Sequence, residues 1–534
     1  MNFIKLTLFF VFLFAFRSVS IGQLHAETPR FLVGIYIEGL QQKHIEMLWP
    51  YFEPGGFKRL FGEGATFKNL SFNTLSAGTA SDVASVLTGS IPFYHGITGK
   101  RYFDKQTQTT PLFVHDDQEI GIGTTESYSA YNLLTSTFID VLKLAYPNRS
   151  KVYAVGLHPT ETILMGGHTA NSVAWIDDVQ LKWVTTGYYK EGLSRAADKM
   201  NISGQFKTTA SQVWKPLYSP NTYISSISDH RKSNFSITPD DKRNKQTQQT
   251  WLTQTPAANT LVVDLGLQIL TDENLGTDNI PDALMLQLTV RTPNDKTFSL
   301  QSIEKEDMYL RLDKELQKLL QKVDQKIGID KTLFFVYTNQ TEAFSPTELG
   351  ENSIPAGYFN ATRSMALLNT YLMALYGQER WVLGYYGKQI YLNKPKAVEK
   401  KINFSELQQA VVDFMPKFEG IQTVKSSQHL MAAAGGDTNQ AYMRMRNSIH
   451  VKTMGDVVIS LMPGWLEVDD QYRFLSESNS IVSYMPLVFF GWNIKSEQIN
   501  TSYRITDIAP TICRLLNLPM PNATIGKPII ELIE

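Results

Sequence analysis

Residues 73–96 read NTLSAGTASDVASVLTGSIPFYHG, and this stretch decides the fold. Thr79 stands before an apolar-periodic run in which Val83, Val86 and Leu87 share one helical face, and Gly89 closes the run. Thr79 and Asp82 have the spacing of a capping box, the hydroxyl accepting the Asp82 amide proton while the carboxylate reaches back. Thr79 therefore reads in two ways: as a plain helix cap, or as a hydroxyl presented for chemistry at a helix start.

Outward from that stretch, short β-rich runs alternate with helical patterns, which predicts an α/β fold with a mostly parallel sheet and helices on both faces. The expected buried strands are FLVGIYI (31–37), VYAVGL (152–157), ALMLQLTV (283–290), TLFFVY (332–337) and LVFFGW (487–492). Residues 308–323 place Leu312, Leu316, Leu319 and Leu320 on one stripe, a helix. In such sheets ligands sit beyond the carboxyl ends of the strands, so the residues just after each run are the candidates for function. Residues of about 195–250 are polar, and KSNFSITPDDKRNKQTQQT reads as a solvated excursion. From 346 to 450 the texture suggests a small α+β insertion, with WVLGYYGKQIYL as a strand and Ser405 and Gln408 as the capping box of a helix. The expected division is 1–26 leader, 27–345 core, 346–450 insertion and 451–534 the rest of the core.

A chain of 534 residues with 43% apolar and 19% charged residues can bury a large core. A formal net charge of −1 provides no global field for nucleic acid, so no nucleic-acid partner is expected. Lys5 followed by an apolar run to Phe16 and by Leu24-His25-Ala26 reads as a secretory signal peptide, too short to span a bilayer. The mature chain carries no second apolar run long enough to cross a membrane, and a periplasmic or secreted location is expected. The single cysteine, Cys513, makes no intramolecular disulfide and reads as a buried apolar filler.

Several separated stretches carry a resemblance. Thr79-Ala80, LTGSIPFYHGITG (87–99), GGFKRL (55–60), YLRLDKEL (309–316), FFGW (489–492), ITDIAPTICRLLNLP (505–519) and GKPIIELI (526–533) resemble the alkaline phosphatase superfamily. The chain is most similar to the phosphate-irrepressible alkaline phosphatases within the type I phosphodiesterase and nucleotide pyrophosphatase group. The resemblance runs over nearly all of the mature chain, in the expected order. It implies an alkaline-phosphatase-like core, Thr79 at the nucleophile position and a two-zinc site. Two cations would stabilise the attacking and leaving oxygens, and each needs about four imidazole or carboxylate ligands.

Position by position, those ligands have changed. Where the family has an aspartate after the first strand, this chain has Glu38, the one retained carboxylate. The Asp-x-x-x-His window after ALMLQLTV reads Thr292-Pro293-Asn294-Asp295-Lys296, and Asp-His-Gly after TLFFVY becomes Asn339-Gln340-Thr341. The expected histidine upstream of PLVFFGW falls at Leu475. Of the phosphate-binding groups, the asparagine position holds Lys100, followed by Arg101, and the Lys-x-Arg pair reads His158-Pro159-Thr160. Lys100, Arg101 and Lys296 are the candidates for an anion or ion-pair site, a lysine beside Glu38 filling the space of a metal.

Other chemistries find no support in the residues. The histidines form no H-x-x-x-H or H-E-x-x-H pair, and Cys513 lacks a sulfatase context. His95 reads as structural, His115-Asp116-Asp117 as a solvated loop and KPKAVEKK (394–401) as a solvated face. The favoured expectation is an exported pseudoenzyme without cofactor, binding a protein partner or an anionic ligand in an envelope role. The alternative is an active phosphomonoesterase or phosphodiesterase using Thr79 with zinc in an atypical site.

Overall fold

The computed structural model describes residues 28–75, 79–224, 235–237, 252–292, 302–339, 346–432, 440–471, 474–476 and 485–533. The stretch 1–26 expected as a leader and Lys296 lie outside the described residues.

All five expected strands form, as Phe31–Glu38, Val152–Gly156, Asp282–Thr289, Thr332–Tyr337 and Leu487–Gly491. They belong to one ten-stranded sheet. Its centre is parallel: Thr332–Tyr337 and Asp282–Thr289 flank Phe31–Glu38, followed outward by Val152–Gly156 and Ser172–Asp177. Leu487–Gly491 pairs antiparallel with Thr332–Tyr337, so the sheet is mixed toward that edge. The central strands are buried on both faces and mostly apolar between their ends, as parallel strands under two helix layers require. Register then fixes which side chains meet at the rim: Tyr36 lies beside Gln287 and Tyr337, and Glu38 beside Thr289.

The leucine-striped helix runs Ile303–Lys326, starting upstream of the expected 308 because Ser302 accepts the Lys305 amide proton as its cap. Leu312, Leu316, Leu319 and Leu320 are all fully buried on one face of the sheet. The helix Thr79–Thr88 packs on the other face with Pro159–Gly166 and Ile508–Leu515. Cys513 is buried in that second layer, and desolvation pushes its thiol up to about 12.

Two local expectations need correction. In the polar span 195–224, helices Arg195–Ser203 and Gln205–Ala210 bury Ala197, Met200 and Phe206 in the core; the solvated excursion expected at 232–250 lies, apart from 235–237, outside the described residues. Downstream, the buried Asp307 carboxylate accepts from Trp214 Nε1 (2.6 Å), Tyr223 Oη (2.5 Å) and Arg311 Nε (2.6 Å), which anchors the polar segment by a few buried aromatics. WVLGYYGKQIYL is a hairpin, Val382–Tyr386 with Gln389–Leu392, because Gly387 and Lys388 both take positive φ (57° and 63°) in a two-residue turn. The helix Phe404–Phe414 is capped by Asn403, which accepts the Ser405 amide proton, and Gln408 instead donates to the Asp456 carbonyl. A separate four-stranded sheet contains this hairpin with Ile421–Ser426 and Val457–Leu461, and its helices enclose their own apolar cluster. Among the described residues no helix is long and apolar enough to cross a membrane.

Candidate functional site

The site is built where strand ends meet the amino ends of two helices. Thr79 is the first residue of the helix Thr79–Thr88, not the residue before it, so the capping position falls at residue 78, outside the described residues. The Thr79 hydroxyl donates to Glu161 Oε1 at 2.5 Å. Glu161 lies in the first turn of Pro159–Gly166, a helix whose start is favoured by Pro159 at its first position. Gly156 lets that turn close, since a Cβ there would stand 2.1 Å from Thr162 Oγ1 and 2.8 Å from Gln287 Oε1. Gln287 Oε1 in turn accepts the backbone protons of Leu157 (3.1 Å) and His158 (3.2 Å), which fixes the strand-to-helix turn.

Glu161 is 2% exposed, and its Oε2 has no hydrogen-bond partner. Burial opposes its ionisation, but the charge of Lys100, the neighbouring His158 and the Thr79 hydrogen bond together hold its carboxyl below the usual value. Burial, reinforced by Lys100, pushes the His158 imidazole below its ordinary value against the pull of Glu38 and Glu161. Lys100 is the leading charge favouring the ionised form of Glu161.

Glu38 pairs with an arginine that was not among the expected cations. Arg291 Nε lies 3.0 Å from Glu38 Oε1, with side-chain exposures of 27% and 15%. The guanidinium comes from the segment just after Asp282–Thr289, the neighbour of the first strand; of the lysines expected beside Glu38, Lys296 lies outside the described residues. Gly39, at φ 80°, makes room for it, since a Cβ there would meet Arg291 Cγ at 3.2 Å. Asn339 Oδ1 accepts from the Gly39 amide (3.0 Å) and from Tyr36 Oη (3.2 Å), so this amide staples two strand ends together. Burial, then Glu38 and Glu161, raise the Tyr36 phenol well above its usual value, so it remains a neutral donor to Asn339.

The other expected residues go elsewhere or nowhere. Arg101 is exposed and donates Nη1 to the Thr110 carbonyl at 2.7 Å. Leu475 lies in the strand Phe474–Ser476 of a separate three-stranded sheet and is half exposed. His95 is fully buried: its Nδ1 accepts the Ile97 amide proton (3.1 Å), so Nε2 carries the proton toward Ser85 Oγ (3.0 Å). That direction is the reverse of a base withdrawing a proton from serine, and the pair is structural. His115 and Asp117 pair at 2.9 Å in an exposed loop, and of the lysines in 394–401, Lys396 pairs with Glu399 and Lys400 with Glu379. Among the described residues no group of three or more His, Cys, Asp or Glu comes together that could hold a metal ion.

Two members of the cluster, Glu161 and Arg291, escaped the reading of the sequence. Both lie within a few residues of the end of an expected strand, and Glu161 also follows the helix-starting Pro159, which is the signal that marked them.

Residues 32–471 match the type I phosphodiesterase / nucleotide pyrophosphatase family. The alkaline phosphatase PafA of Elizabethkingia meningoseptica is 27% identical over 520 residues, covering 95% of this chain and 94% of that protein. A protein of Myroides odoratus named a calcium-transporting ATPase is 29% identical, covering 98% of this chain and 97% of its own length. The crystal structure of wild-type PafA superposes with a TM-score of 0.86 at 27% identity, over 95% of this chain and 99% of that one. With a family match over most of its length and a superposition on PafA across nearly all of both chains, the chain belongs to the type I phosphodiesterase / nucleotide pyrophosphatase family and has the alkaline-phosphatase fold.

Proposed function

We propose that this chain is an exported pseudoenzyme of the alkaline-phosphatase fold, in which ion pairs replace the two-zinc site and binding, in an envelope role, replaces hydrolysis. The observation that carries this reading is the partner of the Thr79 hydroxyl. It donates to a carboxylate whose carboxyl is held below its usual value. Such a carboxylate is too weak a base to take a proton from an aliphatic alcohol, so the hydroxyl stays protonated and is a poor nucleophile.

Among the described residues the donors do not suit a zinc pair. Zinc takes about four nitrogen, sulfur or oxygen ligands at close to 2 Å. Here Glu38 is committed to Arg291, one oxygen of Glu161 is committed to Thr79, and Asn339 spends its carbonyl oxygen on the backbone. Arg291 supplies positive charge next to Glu38, and Lys100 is the leading favourable charge on Glu161; both oppose a dication. The leader at residues 1–26 supports export, with a periplasmic or secreted destination.

A second reading is favoured by one observation: the relatives of like length include proteins named alkaline phosphatases. On that reading the chain is an active phosphoesterase using Thr79 with zinc in an atypical site. Metal analysis of the purified protein, combined with turnover of aryl phosphate mono- and diesters, separates the two. The pseudoenzyme holds no stoichiometric zinc, shows no turnover above background with zinc added, and keeps its melting temperature in chelator. Stoichiometric zinc with turnover abolished in Thr79→Ala would overturn it.

A further inference from the structure

The edge of the ten-stranded sheet opens into a cleft of about 540 Å³, inside the range of roughly 300–1,000 Å³ that ligand sites occupy. One side is the strand Ala65–Phe67 with the outermost strand Glu497–Ile499, and the other is the pair of helices Gln42–Leu48 and Phe57–Glu63. None of its lining residues belongs to the cluster around Thr79 and Glu38. Trp49 and Phe61 give it an aromatic wall, each only partly buried against the core. Polar groups line it from both sides: Gln42 and Glu46 on the helix, Glu497 and Gln498 on the outer strand. Gln42 Nε2 donates to Glu46 Oε1 at 2.9 Å, which fixes the two side chains relative to each other. Among the described residues, Gln42 Oε1, Glu46 Oε2 and the side chains of Glu497 and Gln498 have no hydrogen-bond partner. Gly62 keeps the space open. It is exposed inside the helix Phe57–Glu63, where only proline is a poorer helix former. Its φ is not positive, and a Cβ there would meet only Trp49 Cη2 and Cζ2, at an ordinary 3.8 Å. Neither backbone nor packing requires a glycine at 62; its bare Cα preserves room against the indole.

We propose that this cleft binds a neutral saccharide. A pyranose ring has a face of C–H bonds, which packs against the negative face of an aromatic ring, and a rim of hydroxyls that each donate and accept. The amides of Gln42 and Gln498 offer both donors and acceptors, and the carboxylates of Glu46 and Glu497 accept from neighbouring hydroxyls. Wall and rim of the cleft thus match the two kinds of surface that a sugar presents. Charge narrows the class. Glu46 and Glu497 against Lys68 leave the lining with a net negative charge, which disfavours phosphorylated and other acidic sugars. The cleft shares no residue with the cluster at the strand ends, so the inference stands or falls separately from the role of Thr79.

The test is isothermal titration calorimetry of the full chain with maltose, cellobiose, lactose and N,N′-diacetylchitobiose. At least one of these should bind with a Kd of about 1 mM or tighter. Gly62→Leu fills the cleft from an exposed helix position without removing any side-chain contact, so it should weaken that binding about tenfold or more while the melting temperature holds. Trp49→Ala removes the aromatic wall and should weaken it as much. Where Trp49→Ala does not fold, Gln498→Ala takes its place: the side chain is exposed and without a partner, and its loss should weaken binding about threefold or more. A longer oligomer of the same repeat that binds more tightly than the disaccharide marks a polysaccharide as the source, and equal affinity marks a free saccharide. No binding of any of these disaccharides at about 10 mM, or binding that Gly62→Leu leaves unchanged, overturns the proposal. Zinc-dependent phosphoesterase turnover is a separate result that strikes at the proposed function and leaves this comparison readable.

Discussion

Replacing Thr79 with alanine removes the hydroxyl that donates to Glu161 at 2.5 Å, while the rest of the helix Thr79–Thr88 has no reason to change. The bond is to a charged acceptor, and such bonds contribute about 1.5–3 kcal/mol net. The remaining Glu161 oxygen already lacks a partner, so the variant leaves a buried carboxylate with Lys100 as its main support. We therefore expect a loss at the upper part of that range, about 2–3 kcal/mol, more than the ~1 kcal/mol typical of a lost helix cap. Thr79→Ser keeps the hydroxyl and should lose less than about 1 kcal/mol. Urea unfolding at pH 7 measures both. The pH dependence follows from the sign of the shift. The Glu161 carboxyl is depressed when folded, so its contribution is present above its unfolded value and is lost as pH falls through the folded value. The Thr79→Ala penalty should accordingly shrink in acid. A double-mutant cycle with Glu161→Gln should give a coupling of at least about 1 kcal/mol. Thr79→Ala within 0.5 kcal/mol of wild type (roughly the scatter of a neutral surface change) together with zero coupling would refute the reasoning.

Arg291→Met should destabilise by about 1–3 kcal/mol, a range discounted for the partial exposure of the pair, because Glu38 is left uncompensated; Glu38→Gln in the same protein should restore part of the loss, and an additive double variant would contradict the pairing. Burial pushes the imidazoles of His95 and His44 down to about 3. Their stabilisation is complete above the unfolded value near 6.5 and falls with pH toward 3, by about 1.4 kcal/mol per unit for each histidine. His95→Gln should lower the slope of unfolding free energy between pH 6 and 4 by that amount for one histidine, and an unchanged slope would count against a buried neutral His95. Gly89→Ala places a Cβ at φ 65° and 3.0 Å from both Pro510 Cδ and Thr524 Cγ2. A loss of about 1–3 kcal/mol in thermal or urea unfolding is expected, and a stabilised variant would show that the helix end does not need the left-handed conformation.

The sequence by itself determined the layers of this protein. Strands such as FLVGIYI and TLFFVY, and the leucine stripe at 312–320, are local patterns: burial on both faces or on one stripe is written in the order of apolar residues. The sequence also placed Glu38, Thr79 and Asn339 at the rim, because each directly follows an expected strand or opens an expected helix. Tertiary structure decided the partners. Arg291 reaches Glu38 because Asp282–Thr289 pairs in parallel register beside the first strand, across some 250 intervening residues. Glu161 meets Thr79 because two helices pack side by side on one face of the sheet. No periodicity encodes those meetings. Ionic and hydrogen-bonding choices fall steeply with distance and direction, so a residue's role at the rim is set by which neighbour folding brings within about 3 Å, not by where it stands in the chain.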